Sequence, residues 1–200
     1  MNNLIKSLFG FSLLFLLLSC GEEKQDAGDK HFAAGQYDKA VQAYNKQLTN
    51  NPTHIKSLYN RGRSYEELGQ DEKALADYEK ILEQDPKNAN ANMSIGNYYH
   101  KKEDYENAVY HFDLALSENK SNARALFLRA RSNHKAGKVE GAMEDYNGAI
   151  SINKNLGEAY LYRGILKIHL KQKKAACVDF RSAKTLQIAE ADGAIEKYCK

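Results

Sequence analysis

The sequence predicts an all-α protein, a right-handed α-solenoid of five helical hairpins with a helix covering its C-terminal end. Its composition favours helices, because only two of the 200 residues are Pro while Ala, Lys and Glu are plentiful. An alanine recurs at a constant interval of 34 residues, which is typical of stacked structural repeats. An aromatic residue follows each of these alanines four positions later, on the same face of a helix.

Three sets of residues carry the repeat. The alanines are Ala40, Ala74, Ala108, Ala142 and Ala176, and the aromatics are Tyr44, Tyr78, Phe112, Tyr146 and Phe180. A small residue precedes each alanine by 12 positions, and this set is Gly28, Gly62, Gly96, Ala130 and Gly164. Two helices approach closely only where side chains are small, so these positions predict the contact within each hairpin. A single hairpin cannot bury its own apolar face, and stacking therefore has to stabilise it.

This pattern resembles the tetratricopeptide-repeat (TPR) family, whose 34-residue units are helical hairpins. Pro52 and Pro86 close the first two units as in that family, whereas Lys120, Lys154 and Ile188 replace the proline in the others. A second departure is an arginine where the family often has Leu, at Arg61, Arg129 and Arg163. The predicted organisation is a signal peptide over 1–19, a short tether over 20–24, five repeats over 25–188 and a capping helix over 189–200.

The first twenty residues predict an exported, lipid-anchored protein. Lys6 precedes an apolar run of 11 residues over 8–18, which suits a signal peptide but is too short to span a bilayer. Ser19 and Cys20 follow, and this ending resembles a bacterial lipobox, in which the cysteine is acylated after cleavage. Several acyl chains would make the anchor effectively permanent. An ordinary signal peptide with a chance cysteine is the alternative.

The residues after Cys20 bear on the destination. By resemblance to the lipoprotein sorting rule, Gly21 in place of Asp points to the outer membrane. Glu22 and Glu23 resemble a surface-export signal of some Gram-negative lineages, but carboxylates are also favourable near a helix N-terminus. The periplasmic side and the cell surface therefore both stay open.

Cys177 and Cys199 predict a disulfide. If the chain reverses around Ile188, antiparallel packing of the last two helices brings the two cysteines level, and the oxidising envelope favours the bond. The alternative is two unpaired cysteines packed as apolar residues in the cap.

The TPR resemblance implies that the first helices of the repeats line a concave groove. The predicted groove residues are Lys56, Tyr59, Asn60, Arg63, Asn90, Met93, Asn97, Arg124, Phe127 and Arg131. Such a surface suits a protein or peptide partner that carries acidic groups and an apolar anchor. The carboxylate clamp of chaperone-binding TPR proteins does not fit, because Tyr59 and Arg63 occupy its first two positions. A solvated helix face is the alternative interpretation.

The sequence favours a binding protein over an enzyme. No catalytic motif is present, and carboxylates spaced four residues from lysines predict solvated ion pairs. His100 and His134 share a repeat position, but no ligand set completes a metal site, so we expect surface histidines, no metal and no cofactor. The balanced charge of +3 argues against nucleic acid as a partner, and no small-molecule substrate is expected. The predicted function is an envelope-anchored interaction scaffold; a component of an outer-membrane assembly or secretion machine is the alternative.

Overall fold

The computed structural model describes residues 26–200, which form helices and turns and contain no strand. The helices are α1 (Ala27–Ala33), α2 (Tyr37–Asn50), α3 (Ile55–Glu67), α4 (Asp71–Gln84), α5 (Ala89–Lys101), α6 (Tyr105–Ser117), α7 (Ala123–Lys135), α8 (Val139–Ile152), α9 (Gly157–His169), α10 (Lys173–Thr185) and α11 (Glu190–Tyr198). The predicted signal peptide and the lipidation site Cys20 lie outside the described residues. None of the helices within 26–200 is long and apolar enough to cross a membrane.

The helices pair in chain order into five hairpins, from α1 with α2 to α9 with α10, and α11 packs on the last hairpin. Each hairpin also contacts the next, through the second helix of one and the first helix of the other. The predicted α-solenoid of five hairpins with a C-terminal capping helix is confirmed.

The recurring small residue lies beneath the aromatic ring of its own hairpin. A Cβ atom at Gly62 would lie 2.6 Å from Cε1 of Tyr78, and one at Gly96 would lie 2.6 Å from Cε1 of Phe112. Both rings are almost fully buried, so the space that a larger side chain needs is already filled. The 34-residue pattern therefore records one contact that every hairpin has to make.

Buried ion pairs account for the arginines that replace the family's leucine. Arg129 on α7 donates to Asp145 on α8 at 2.8 and 2.6 Å, and its remaining nitrogen donates to Asp113 of the preceding repeat at 2.6 Å. The same arrangement recurs for two more arginines. These are Arg61, between Asn45 and Asp77, and Arg163, between Asn147 and Asp179.

The expectation that the carboxylates form solvated pairs at i,i+4 spacing is wrong for these aspartates. Asp77, Asp145 and Asp179 are only 3%, 5% and 2% exposed, and their cationic partners lie on the opposite helix of the hairpin. In the third repeat an apolar residue, Ile95, holds the place of the arginine. The ladder of ion pairs is therefore interrupted there.

The C-terminal cap is attached covalently. Cys177 on α10 and Cys199 after α11 form a disulfide, with Cα atoms 5.7 Å apart. The ring of Tyr198 stacks on Phe180 at 6.1 Å, and Ala191 is fully buried. The helix thus covers the apolar end of the last hairpin, as the end of a solenoid requires.

Candidate functional site: the face of the first helices

The first helices of the hairpins form the inner side of the stack. They approach one another directly, α1 with α3, α5 with α7, α7 with α9 and α9 with α11, whereas consecutive second helices stay farther apart. A curved stack brings elements together on its concave side, so this side is the one lined by first helices. All ten predicted groove residues belong to the first helices α3, α5 and α7.

An aspartate of α1 occupies the N-terminal part of this face. The carboxylate of Asp29 accepts hydrogen bonds from the Tyr44 hydroxyl at 2.7 Å and from Asn60 Nδ2 at 2.9 Å, and Lys56 Nζ lies 2.8 Å from it. Burial works against its ionised form, but the bonds from Lys56 and Tyr44 prevail and lower the pKa of Asp29. Two predicted groove residues, Lys56 and Asn60, are therefore engaged by the chain itself.

Tyr59 and Arg63 pack against neighbouring rings. The Tyr59 ring lies 5.7 Å from Tyr78, and the Arg63 guanidinium lies 4.6 Å above Phe32 while the residue remains exposed. Arg63 is thus oriented by a cation–π contact and keeps its charge on the surface.

The middle of the face is polar and open. Asn90 is exposed, and Asn97 lines a cavity of about 410 Å³ together with His100 and Lys101. Met93 is half-buried against the apolar core of two adjacent repeats.

Phe127, which was predicted as a groove residue, is buried in the core. The residue is 1% exposed, and its ring packs 5.8 Å from Tyr162 and 6.3 Å from Tyr146. Burial of a ring of this size in the core stabilises the folded chain at all times, whereas an exposed ring would be stabilised only when a partner covers it. The guanidinium groups of Arg124 and Arg131 lie over this ring, 5.3 and 5.8 Å from its centre.

The two arginines beside Phe127 differ in what they meet. Arg124 forms a salt bridge of 3.1 Å with Glu158 of the next repeat. Arg131 lies 4.8 Å from the centre of the Tyr162 ring and makes no salt bridge to any residue within 26–200. The positive charge of the predicted groove is therefore concentrated at Arg63 and Arg131.

A cavity of about 460 Å³ opens beside Arg131. Its lining is His100, Arg131, His134, Lys135, Tyr146, Tyr162, Ile165 and His169. The rings of His134 and His169 share a hydrogen bond of 3.1 Å between Nε2 and Nδ1, and His100 Nδ1 lies 2.9 Å from Ser132 Oγ.

His100 and His134 were expected to be surface histidines, but both are half-buried. Burial, together with the positive charges of Arg131 and Lys135, lowers the pKa of His100 to about 4. Burial and the neighbouring His169 lower the pKa of His134 as well. Both rings are therefore neutral at pH 7. Within 26–200, no three His, Cys, Asp or Glu side chains are grouped as metal ligands would be.

Sequence reasoning missed the acidic partners and one hydroxyl. Nothing in the spacing singled out Asp29 or Glu158, because each pairs with a cation of the adjacent repeat, Lys56 and Arg124 respectively. The Tyr146 hydroxyl, like that of Tyr78, has no hydrogen-bond partner within 26–200, whereas the Tyr44 hydroxyl donates to Asp29. The choice of Tyr rather than Phe at that repeat position was the available signal, because only Tyr brings a donor into the core.

Comparisons with known proteins agree with this architecture. Tetratricopeptide-repeat models match residues 27–54, 55–88 and 95–155. Solved structures of similar fold include MamA, with 24% identity and a TM-score of 0.71 over 84% of this chain and 98% of that one. A thermophilic TPR protein of Thermus thermophilus has 18% identity and a TM-score of 0.68, covering 84% and 92%. A TPR protein of Parabacteroides merdae has 26% identity and a TM-score of 0.65, covering 86% and 66%. The sequence matched no curated protein.

Proposed function

The chain belongs to the tetratricopeptide-repeat family, and from this we propose that it is an interaction scaffold that binds a partner peptide on its concave face while lipid at Cys20 anchors it to a bacterial envelope membrane. Repeat solenoids present extended surfaces to other proteins, and a protein–protein interaction scaffold is the function that the repeats support. The peptide ligand, its acidic character and the anchor are the parts that we add.

The observation that carries the proposal is a contrast between two sides of the stack. A cavity of about 420 Å³ beside Arg129 is lined by Asp113 and Asp145, and these three side chains already satisfy one another. On the concave face, Arg131 and Lys135 line a cavity and form no salt bridge within the described residues. Charge left uncompensated beside apolar rings is a feature of recognition surfaces.

The anchor is proposed from the sequence of the first twenty residues. Six residues separate Cys20 from Ala27, where α1 begins, so a lipidated Cys20 would hold the first repeat close to the membrane. Gly21 favours the outer membrane, and the partner would then belong to the cell envelope.

Crosslinking and capture from cell envelopes would test the scaffold. The wild-type protein is compared with Arg63→Glu/Arg131→Glu, which reverses the concave charge, and with Lys46→Glu/Arg181→Glu, which makes the same change on exposed residues of α2 and α10. We expect the first variant to lose the captured protein and the second to retain it, with circular dichroism verifying the folding of both. Equal capture by all three would place the interaction elsewhere.

Labelling cells with an alkyne-bearing fatty acid would test the anchor. The wild-type protein and a Cys199→Ala variant should carry the label and sediment with membranes. A Cys20→Ala variant should do neither. Label that persists in Cys20→Ala would rule out the lipobox interpretation.

A further inference from the structure

Tyr146 on α8 places a hydroxyl in the core without giving it a partner. The residue is 0% exposed, and its hydroxyl, like that of Tyr78, makes no hydrogen bond within residues 26–200. Burial raises the pKa of Tyr146, so the hydroxyl keeps its proton and remains a donor. Buried polar groups are nearly always hydrogen-bonded, so an unpartnered hydroxyl at a cavity wall is a candidate donor to a ligand. Tyr146 lines the cavity beside Arg131.

Two cations line the same cavity. Arg131 and Lys135 form no salt bridge with a described residue, and the Arg131 guanidinium is held between the rings of Tyr162 and Phe127. Glu66 also lies near, in an adjoining cavity that Arg131 reaches, but it is not within salt-bridge distance of that arginine. A donor hydroxyl and two uncompensated cations together call for an anion.

The chain itself shows how such a site is filled. Tyr44 and Tyr146 occupy the same position in the first and fourth repeats. The Tyr44 hydroxyl donates to the carboxylate of Asp29, which Lys56 also binds. The residue that corresponds to Asp29 in the fourth repeat is Arg131. The fourth repeat thus keeps the tyrosine, as Tyr146, but has the cation Arg131 where the first repeat has the carboxylate of Asp29.

We propose that this cavity binds the carboxylate of an Asp or Glu side chain of the partner protein. Tyr146 donates a hydrogen bond, Arg131 and Lys135 neutralise the charge, and the ring of Tyr162 and the side chain of Ile165 cover the aliphatic stem. The volume of about 460 Å³ exceeds that of a carboxylate and leaves room for that stem and an apolar neighbour. The proposal rests on the scaffold function and specifies its recognition chemistry. The Asp29 contact supports a side chain as the source of the carboxylate.

A titration followed by nuclear magnetic resonance would test the cavity directly. The full chain, purified in mild detergent with isotope-labelled histidines, receives the capped peptide acetyl-Gly-Gly-Glu-Leu-Gly-Gly-amide at millimolar concentration. We expect saturable shifts of the His134 and His169 ring signals, and no shifts with the peptide in which Gln replaces Glu. Equal shifts with both capped peptides would overturn the proposal. The Gln peptide with a free C-terminal carboxylate forms a third arm, and binding of that peptide alone would overturn the assignment to a side chain.

Matched variants connect the shifts to the hydroxyl and the guanidinium. Tyr146→Phe and Arg131→Gln should each weaken the affinity for the Glu peptide about tenfold, since each removes a charge-assisted hydrogen bond. Tyr44→Phe removes the corresponding hydroxyl of the first repeat, which Asp29 already occupies, and should bind as wild type does. Wild-type affinity in Tyr146→Phe would refute the role of the hydroxyl. If an envelope partner is captured but the peptide does not bind, the carboxylate site is refuted and the scaffold function stands. If the peptide binds but no partner is captured, the scaffold function is refuted and the carboxylate site stands.

Discussion

Arg129 and Asp145 form a bidentate ion pair across one hairpin, with the Nε and Nη2 atoms of the arginine 2.8 and 2.6 Å from the two carboxylate oxygens. The third nitrogen group reaches Asp113 of the preceding repeat, so one guanidinium joins three helices. The Asp145 side chain is 6% exposed and has little access to water. Removing either partner therefore leaves the other in a poorly solvated position.

We expect Arg129→Leu to lower the free energy of unfolding by about 3 kcal/mol, because breaking a buried pair leaves an uncompensated charge. Replacing both partners, in Arg129→Leu/Asp145→Leu, should recover most of that loss, since apolar residues of similar volume often substitute for a buried pair. Urea denaturation followed by circular dichroism measures both. A double variant no more stable than Arg129→Leu would contradict this account.

Lys171→Gly should stabilise the protein by about 1 kcal/mol, because Lys171 has a φ of 60°, a left-handed conformation that costs a non-glycine residue energy. Gly137 has a φ of 75° at the corresponding place in the preceding repeat, and a Cβ atom added there would have nothing within 4 Å. Gly137→Ala should therefore lose a similar amount without any steric clash. Thermal or urea unfolding of the two variants checks the opposite signs, and changes of the same sign would show that another factor dominates.

Acid should weaken the fold partly through His100. Its pKa is about 4 in the folded protein and near 6.5 in the unfolded chain, so between these values only the unfolded chain takes up the proton. The stabilising effect of neutral His100 is complete above pH 6.5 and is lost as the pH falls towards 4. His100→Gln should therefore show a shallower loss of unfolding free energy from pH 7 to pH 4.5. Parallel pH profiles for the two proteins would exclude His100 as a source.

Reduction of the Cys177–Cys199 disulfide should lower the free energy of unfolding by about 3 kcal/mol, given that the two cysteines are 22 residues apart. The comparison is urea denaturation with and without dithiothreitol. A Cys177→Ser/Cys199→Ser variant should be as unstable as the reduced protein and indifferent to the reductant. If the reductant affects that variant equally, the effect does not come from this bond.

The sequence predicted the fold because each hairpin repeats one steric requirement. A ring such as Tyr78 needs a small residue beneath it, and Gly62 stands 16 positions earlier for that reason. That contact lies within one hairpin, so its spacing is constant and visible in the sequence. The turn glycines Gly35, Gly69 and Gly137 were likewise predictable, and all three have positive φ.

The candidate site was predicted only in part, because its chemistry depends on contacts between repeats. Family position alone placed Phe127 in the groove, but the packing of its ring against Tyr146 and Tyr162 removes it from the surface. Lys56 and Arg124 were predicted as groove residues, but the sequence did not show that Asp29 and Glu158 pair with them from neighbouring repeats. No pattern within a single repeat encodes these partners.

The disulfide-linked cap makes the two ends of the stack unequal in their resistance to unfolding. Units that hold only their neighbours come loose from the ends inward. One end is fastened, because the disulfide fixes α11 to α10. The other begins with α1, a helix of seven residues and the shortest in the part of the chain that the structure describes. We therefore expect the first hairpin to open before the rest, while the cavity around Tyr146 stays intact near the disulfide. A partner bound in that cavity would therefore stay bound while the first hairpin is open.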